Sequence, residues 1–531
     1  MKSIKQALFD EDELLERLIT KGKQGLIRTI FGRTAIVTAL LLVQIFLTFG
    51  FYRYLERIFP LYFGSMTLVV LGMMIHLINA RGNPAVKLTW AALIAVAPVA
   101  GTLFYFYIRT DLGYLRQEKN LRSIEEAARR FVLPQTDLMN RLAEEDKPLY
   151  RLASYLTKTS GAPVFEHTEV TYYSLGDHMF RGMIEQIKQA ERFVFLEYFA
   201  IAKGELWTEL LTLLTKKAKE GVEVRLLYDG TCAFVALPYR YPQALEALGI
   251  RCKVFSPIHP VVTTRYNNRD HRKICVIDGH TAFTGGLNLE DPYINREMRY
   301  GHWKDAGIML HGDGARTFTQ LFLQMWNSED PEQIYEPYLL EPGSCGLSVP
   351  GYVIGYGDSP LDEELVGEMV YLDIINRAND YVYIMTPYLI LDHEMITALT
   401  YAAKRGVDVR LILPHIPDKE YAFALAKTHY RELMEAGITI YEYTPGFIHS
   451  KVFLSDDHRA VVGTINLDYR SLYLHFECAA YLQDVPALSD IRKDFDETFL
   501  QSQIISPEDL KRDKLSRRLL GRLLKVLAPL M

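Results

Sequence analysis

The sequence predicts an α/β protein that is built from two similar halves and preceded by helices that cross a membrane. Three observations predict this arrangement: uncharged apolar runs before residue 110, strands that alternate with helices farther along the chain, and a short motif that occurs twice. The chain has 531 residues, of which 49% are hydrophobic and 23% are charged. This composition excludes wholesale disorder, and the length indicates several domains.

The first 110 residues contain three apolar runs, which are Thr34–Tyr52, Phe59–Ala80 and Leu88–Ile108. Each approaches the ~20 residues that a helix needs to cross a ~30 Å hydrocarbon core. Basic residues flank both ends of this region, and such residues tend to stay in the cytoplasm. We therefore expect two spans and one interfacial segment in the cell membrane, with the rest of the chain facing the cytoplasm.

Beyond residue 160, two stretches of the chain share one order of elements: strand, helix, glycine, strand. Apolar strands that alternate with helices indicate βαβ units and a sheet covered by helices. The predicted elements are Phe193–Phe199, Leu206–Glu220 and Val222–Tyr228 in the first stretch, and Tyr381–Tyr388, Glu394–Arg405 and Val407–Leu413 in the second.

These features divide the chain into six parts. They are an N-terminal amphipathic segment (1–33), transmembrane segments (34–110), a helical linker (111–163), a first α/β lobe (164–345), a second α/β lobe (346–508) and a basic amphipathic tail (509–531). In the tail, the apolar residues of 515–527 occupy one half of a helix and the basic residues the other, which is typical of a helix that lies on anionic lipid. The alternative is a helix that packs on the protein's own core.

The strongest signal is a motif that occurs once in each half, with every member 178 residues from its counterpart. A single copy would be a weak signal, whereas two copies in register indicate one shared function. The members are His271, Lys273, Asp278, Gly286 and Asn288 in the first half, and His449, Lys451, Asp456, Thr464 and Asn466 in the second.

These residue types suit phosphoryl transfer without a metal. Each histidine and the lysine two residues later share one face of a strand, and Gly286 lets the backbone approach a ligand. If the halves meet face to face, the lysines and asparagines neutralise an oxyanion, one histidine attacks and the other transfers a proton. The alternatives are a polar interface between strands and a metal site, although the charge of each lysine opposes a cation.

The motifs lie in "NRDHRKICVIDG" and "TGGLNLEDPY" in the first half, and in "GFIHSKVFLSDD" and "VVGTINLDYRS" in the second. These segments resemble the phospholipase D superfamily, and within it the sequence is similar to bacterial cardiolipin synthases over nearly the whole chain. The resemblance implies two phospholipase D-like α/β lobes that share one active site. It also implies that the enzyme joins two phosphatidylglycerol molecules into cardiolipin. This reaction passes through a phosphohistidine intermediate and releases glycerol.

The resemblance also implies roles for single residues. His271 is expected to be the nucleophile and His449 the acid and base. A carboxylate is expected to orient each histidine through its second nitrogen. By likeness to the family, Asp305 in "HWKDA" suits His271 and Glu477 in "HFECA" suits His449.

The resemblance places Asp278 and Asp456 in the catalytic motif, and a structural role is the alternative because each lies five residues past its lysine. The residues expected to contact substrate are Asn288, Asn466, Gly286 and Thr464. We expect no metal and no other cofactor. The expected partners are the lipid bilayer and its phospholipids, phosphatidylglycerol and cardiolipin, and the oligomeric state stays open.

Two rival functions remain open. The superfamily chemistry also permits a phospholipase D-type hydrolase or nuclease that uses water, or a transferase that uses another acceptor such as phosphatidylethanolamine. A membrane-anchored scaffold without catalysis is disfavoured because both motifs are complete. A pI near 6.2 and a net formal charge of −6 argue against nucleic acid as a partner.

Overall fold

A computed structural model describes most of the chain from residue 62 onward, together with residue 46. The described ranges are 62–109, 112–133, 135–238, 240–257, 267–329, 334–339, 343–362 and 364–530, with residue 341. The predicted segment 1–33 and the first apolar run, Thr34–Tyr52 apart from Phe46, lie outside the described residues.

The other two apolar runs form helices α1 (Tyr62–Asn79), α2 (Pro84–Val96) and α3 (Pro98–Arg109). The third run is divided at Ala97, because α3 begins with a proline that has no N–H to continue the hydrogen-bond ladder of α2. No helix within the described ranges combines the length and the apolarity that a membrane span requires. The expected spans therefore stay predictions.

Three further helices follow, α4 (Leu112–Ala128), α5 (Thr136–Glu145) and α6 (Lys147–Ser160). They lie within the predicted linker, 111–163. The side chain of Asp146 caps α6 by accepting a hydrogen bond from the backbone N–H of Leu149 at 2.9 Å.

The first sheet contains seven strands. They are β1 (Thr168–Tyr173), β2 (Phe193–Tyr198), β3 (Glu223–Asp229), β4 (Arg251–Phe255), β5 (Lys273–Ile277), β6 (Thr281–Gly285) and β8 (Gly307–Gly312). Their order in the sheet is β1-β8-β6-β5-β2-β3-β4. Strands β2, β3 and β4 are parallel, and the other neighbours pair antiparallel.

The second sheet contains eight strands. They are β9 (Tyr352–Asp358), β10 (Tyr381–Met385), β11 (Asp408–Pro414), β12 (Thr439–Tyr443), β14 (Val452–Ser455), β15 (Arg459–Gly463), β16 (Glu477–Gln483) and β17 (Ser502–Ile504). Their order is β17-β12-β11-β10-β14-β15-β16-β9. Apart from β17, this is the order of the first sheet, so the repeat seen in the sequence is confirmed as a repeat of the fold.

Helices cover both sheets. The first lobe carries α7 (Gly176–Gln189), α8 (Glu205–Lys219), α9 (Gly230–Val235), α10 (Tyr241–Glu246) and α11 (Ala315–Trp326). The second carries α12 (Val366–Arg377), α13 (His393–Lys404), α14 (Glu420–Glu435), α15 (Tyr469–Tyr473) and α16 (Leu488–Leu500). The predicted strands and helices of both halves are confirmed, with ends that differ by a few residues.

The two lobes meet along a seam that is made partly of backbone hydrogen bonds. Strand β7 (His302–Lys304) of the first lobe pairs in parallel with β13 (Gly446–Ile448) of the second. A further bridge joins Asp270 to Phe476. A cluster of buried apolar side chains draws on both sheets and fills the space between the lobes. The seam therefore fixes the motif segments of one lobe against the other.

The chain ends in two helices, α17 (Pro507–Arg512) and α18 (Leu515–Leu527). Gly521 faces α14 so closely that an added Cβ would stand 2.3 Å from the carbonyl oxygen of Ala424. The tail thus packs on the second lobe through this face, in agreement with the alternative prediction. The opposite face stays open: Leu515 and Leu523 are 68% and 70% exposed.

We expect Gly521→Val to detach α18 from α14, because the added side chain cannot fit against the backbone of Ala424. Limited proteolysis should cut the variant's tail faster than that of the wild type while both lobes keep their resistance. Ser516→Val, an exposed position on the same helix, is the matched control. Equal cleavage of all three proteins would contradict the packing of α18 on α14.

Candidate active site

The two motif histidines lie at the seam between the lobes. His271 lies two residues before β5 and His449 directly after β13, and the two residues are only 8% and 6% exposed. Lys273 and Lys451 are fully buried beside them. The ammonium group of Lys273 donates to the carbonyl oxygen of His271 at 2.6 Å, and that of Lys451 donates to the carbonyl oxygen of His449 at 2.5 Å. Each half thus presents one histidine and one lysine to a shared centre.

A carboxylate holds each histidine, but it comes from the opposite lobe. Nδ1 of His271 donates to Glu477 at 2.8 Å, and Nδ1 of His449 donates to Asp305 at 2.8 Å. The expected pairing of Asp305 with His271 and of Glu477 with His449 is therefore wrong. Because an ionised carboxylate only accepts hydrogen bonds, the proton of each imidazole lies on Nδ1. Nε2 of each ring then carries the lone pair, and Nζ of Lys451 lies 3.0 Å from Nε2 of His449.

The crossed pairing follows from the backbone at the seam. The N–H of His271 donates to the carbonyl oxygen of Phe476 at 2.9 Å, one residue before Glu477. The N–H of His449 donates to the carbonyl oxygen of Lys304 at 2.7 Å, one residue before Asp305. Each histidine is thus part of a bridge to the other lobe, and this bridge brings the neighbouring carboxylate within reach.

Two further motif residues position the carboxylates. Gly286 leaves room for Asp305, since an added Cβ would stand 1.9 Å from its Oδ1. Its counterpart Thr464 donates to Oε2 of Glu477 at 2.5 Å and accepts from the N–H of Cys478 at 3.0 Å. Both residues were predicted to contact substrate, and the structure places them behind the carboxylates instead.

The electrostatic environment favours neutral histidines. Burial, followed by the charges of Lys273 and Lys451, holds the pKa of His271 well below its usual range. Burial and Lys451 lower the pKa of His449 to about 4, although Asp305 acts in the opposite direction. Burial acts to raise the pKa of Asp305, but the contacts with His449, the charge of Lys451 and the N–H of Ala306 together outweigh it, so the net shift is downward. A neutral imidazole is the form that can attack phosphorus.

The lysines are the cations of the centre, and burial weakens their hold on the proton. It lowers the pKa of Lys273 to about 8, against the raising effect of Glu477. It lowers the pKa of Lys451 to about 7, against the raising effect of Asp305. An anionic ligand would favour the charged form of both lysines. The centre is therefore suited to bind an anion.

The motif aspartates lie away from the histidines. The carboxylate of Asp278 accepts hydrogen bonds from the backbone N–H groups of Glu191, Arg192 and Phe193, each at 2.8 Å. Asp456 accepts in the same way from residues 379, 380 and 381. Asp278 and Gly279 also have positive φ values of 53° and 82°, as the tight hairpin turn between the antiparallel strands β5 and β6 requires. The catalytic placement of both aspartates is therefore wrong, because each carboxylate fixes the start of a neighbouring strand.

The two asparagines differ in their contacts. Asn288 donates to the hydroxyl of Tyr293 at 2.7 Å, and its Oδ1 accepts from the N–H of Ala200 at 3.2 Å. Asn466 is 5% exposed, and its Oδ1 has no hydrogen-bond partner among the described residues. Asn466 is thus available to a substrate hydroxyl, whereas Asn288 mainly positions Tyr293.

Aromatic side chains that the sequence gave no reason to single out enclose the centre. The rings of Tyr293 and Trp303 lie 5.2 Å and 5.4 Å from the ring of His449. Phe199 and His475 lie 5.1 Å and 5.4 Å from the ring of His271. The spacing of these residues along the chain follows no pattern. They are recognised only in the structure, by their closeness to the two motif histidines.

One group of side chains in the centre has the composition of a metal site. Ligand-type atoms of His271, His475 and Glu477 lie within 4.8 Å of one another. However, the positive charges of Lys273 and Lys451 act on His271 and oppose the binding of a metal cation there. The expectation that the reaction needs no metal stays a prediction.

Comparisons with known proteins were made on the sequence and on the fold. A family model described as "Cardiolipin synthase, PLD-like domain" matches residues 183–326 and 371–499. A cardiolipin synthase of Geobacillus kaustophilus is 32% identical over 94% of this chain and 99% of its own length. An uncharacterised protein of Streptococcus mutans is 48% identical over 87% of this chain and all of its own length.

The fold is also found in a solved structure. The crystal structure of a phosphatidylserine synthase from Haemophilus influenzae superposes with a TM-score of 0.53, at 14% identity, over 73% of this chain and all of that chain. At this identity the likeness concerns the fold alone, and it agrees with the two-lobed architecture.

We expect Asp278→Ala to lower stability rather than chemistry. The change removes the acceptor of three backbone N–H groups, which costs about 1–3 kcal/mol of the free energy of unfolding. Chemical denaturation measures this loss, and Glu169→Ala, which removes an exposed carboxylate on β1, is the control. Full loss of turnover with an unchanged unfolding midpoint would show that Asp278 acts in catalysis and contradict its structural role.

We expect the kcat/KM of the enzyme for a soluble short-chain substrate to fall on the alkaline side. Lysines carry charge below their pKa values, and those of Lys451 and Lys273 are about 7 and about 8. As the pH rises through these values, the free enzyme loses the cations that bind the phosphate. A profile that stays level from about pH 6 to about pH 10 would show that the lysines do not supply this charge.

Proposed function

The chain belongs to the cardiolipin synthase family of phospholipase D-like phosphatidyltransferases, and we propose that it joins two phosphatidylglycerol molecules into cardiolipin and glycerol. The observation that carries the proposal is the pair of buried histidines, each with a carboxylate on Nδ1 and a lysine beside it. Two equivalent histidines supply the nucleophile and the proton carrier of a double displacement.

The first step forms a phosphohistidine. Nε2 of His271 attacks the phosphorus of one phosphatidylglycerol, and the bond between phosphorus and the headgroup glycerol oxygen breaks. His449 gives a proton to this oxygen, and glycerol leaves. The bound phosphate is negatively charged, which raises the pKa of His449 from its low value in the empty site and lets it carry that proton.

The second step releases the product. A hydroxyl of the second phosphatidylglycerol gives its proton to His449 and attacks the same phosphorus. The phosphorus–nitrogen bond breaks, and His271 returns to its neutral form while Glu477 keeps the proton on Nδ1. One phosphodiester replaces another, so the reaction needs no nucleotide.

The choice of His271 as nucleophile rests on the likeness to the family, and one contact supports it. Both oxygens of Glu477 lie within hydrogen-bond distance of Nδ1 of His271, at 2.8 Å and 3.0 Å. Such a carboxylate stabilises the positive charge that develops on the imidazole when Nε2 bonds to phosphorus.

We propose that the protein works at the cell membrane, where its phospholipid substrates lie, as a multi-pass protein with the lobes facing the cytoplasm. Exposed apolar side chains on α18 and on the N-terminal helices support this placement at the membrane. Leu71 on α1, Val96 on α2 and Leu103 on α3 are all more than half exposed. The tail also joins these helices, because Thr89 of α2 donates to the carbonyl oxygen of Val526 at 2.9 Å.

We expect the purified protein to make cardiolipin from phosphatidylglycerol alone, with one glycerol released per cardiolipin. Lipid analysis and a glycerol assay measure both products. Phosphatidic acid with glycerol, and no cardiolipin, would identify a hydrolase that uses water.

Activity should survive a chelator when the substrate is a soluble short-chain lipid. Loss of activity in the chelator, with rescue by one divalent ion, would contradict the metal-free mechanism.

We expect His271→Ala and His449→Ala each to lower the rate by at least about 10²-fold, the range for a lost nucleophile or proton carrier. The unfolding midpoints should stay close to that of the wild type. His178→Ala, at an exposed histidine on α7, is the control and should keep full activity. Retention of more than a few per cent of activity in either site variant would exclude the paired-histidine mechanism.

A further inference from the structure

A cavity of about 250 Å³ opens beside the catalytic centre in the second lobe. None of the motif residues lines it, and the mechanism above does not use it. Its lining includes Lys419, Tyr421, Asp468, Tyr469, Arg470 and Ala528.

The inner part of the cavity is polar and borders the histidines. Nε of Arg470 lies 3.4 Å from Nε2 of His475, whose ring is 5.4 Å from that of His271. The charge of Lys419 is close enough to lower the pKa of His271, after burial and nearer charges. A molecule held here would therefore lie next to the phosphohistidine.

The outer part of the cavity is apolar and borders the tail. Tyr469 and Ala528 belong to one buried apolar cluster, against which Ala85 and Leu524 pack. Tyr421 is 44% exposed at the rim. The cavity thus joins the catalytic centre to the surface formed by α18 and the N-terminal helices.

We propose that this cavity binds the acceptor, an anionic phospholipid with a hydroxylated headgroup, while the donor occupies the two histidines. Lys419 and Arg470 would hold the acceptor phosphate through charge-assisted hydrogen bonds. One oxygen of Asp468 caps α15 by accepting from the N–H of Ser471 at 2.9 Å, and the other would accept a hydrogen bond from a headgroup hydroxyl. The acyl chains would leave past Tyr421 along the apolar rim. The proposal rests on the proposed function and adds a site for its second substrate.

The geometry separates the acceptor from the donor. The donor phosphate must lie between the two Nε2 atoms, where Lys273 and Lys451 supply the charge. Lys419 and Arg470 supply a second pair of cations beyond this centre, and the cavity gives them room. A reaction between two anionic lipids needs such a second pair, because the two phosphates repel each other.

Two assays on the full-length protein test the proposal. One measures cardiolipin formation, and the other measures exchange of labelled glycerol into phosphatidylglycerol, which uses the donor site but no second lipid. In Lys419→Met and in Arg470→Met, we expect the ratio of cardiolipin formation to glycerol exchange to fall by about tenfold, the effect of one lost charge-assisted contact. Lys404→Met, at an exposed lysine on α13, is the matched control and should keep the wild-type ratio.

Acceptors that lack one chemical part provide the second arm. Monoacylglycerol has the hydroxyls and an acyl chain without the phosphate, and Lys419→Met should use it as well as the wild type does, relative to glycerol exchange. Glycerol 3-phosphate has the phosphate and hydroxyls without acyl chains, and it should be a poorer acceptor than phosphatidylglycerol.

The outcomes separate the two levels of the account. An unchanged ratio in both cavity variants, or equal use of glycerol 3-phosphate and phosphatidylglycerol, would overturn the acceptor site and leave the proposed function standing. Measured glycerol exchange also shows that a variant is folded. A wild-type protein that performs neither reaction would overturn the proposed function, and the acceptor site with it.

Discussion

Each motif histidine is completed by a carboxylate from the other lobe, and the rest of the site depends on this crossed hydrogen bond. His271 of the first lobe is held by Glu477 of the second, and His449 of the second by Asp305 of the first. Neither lobe alone contains a complete pair. The seam, with its bridge between Asp270 and Phe476, is therefore a part of the catalytic machinery as well as of the core.

The crossed pairs also set the charge of the centre. Two buried lysines face two buried carboxylates, and the histidines between them are neutral. A phosphodiester adds one negative charge, which favours the protonated lysines and lets one histidine take up a proton. Substrate binding thus prepares the proton carrier. The burial that keeps the histidines neutral also lowers the pKa values of Lys273 and Lys451, and a bound phosphodiester opposes this lowering.

The sequence predicted the repeat and the paired histidines and lysines of the site, because a constant spacing of 178 residues is visible without a structure. The matching strand orders of the two sheets follow from the same repeat. Which histidine each of Asp305 and Glu477 holds could not be predicted from the sequence, because it depends on which backbone segments pair across the seam. The role of Asp278 was equally hidden: a carboxylate in a motif gives no sign that it binds three backbone N–H groups on an adjacent strand.

The crossed pairing is tested most directly by NMR of protein labelled with ¹⁵N histidine. The Nδ1 protons of His271 and His449, which donate to carboxylates, should give two downfield resonances, assigned with His271→Gln and His449→Gln. The structure predicts that Glu477→Gln shifts or removes the resonance of His271 and leaves that of His449 in place, and that Asp305→Asn does the reverse. Loss of the His449 resonance in Glu477→Gln, with that of His271 unchanged, would contradict the account.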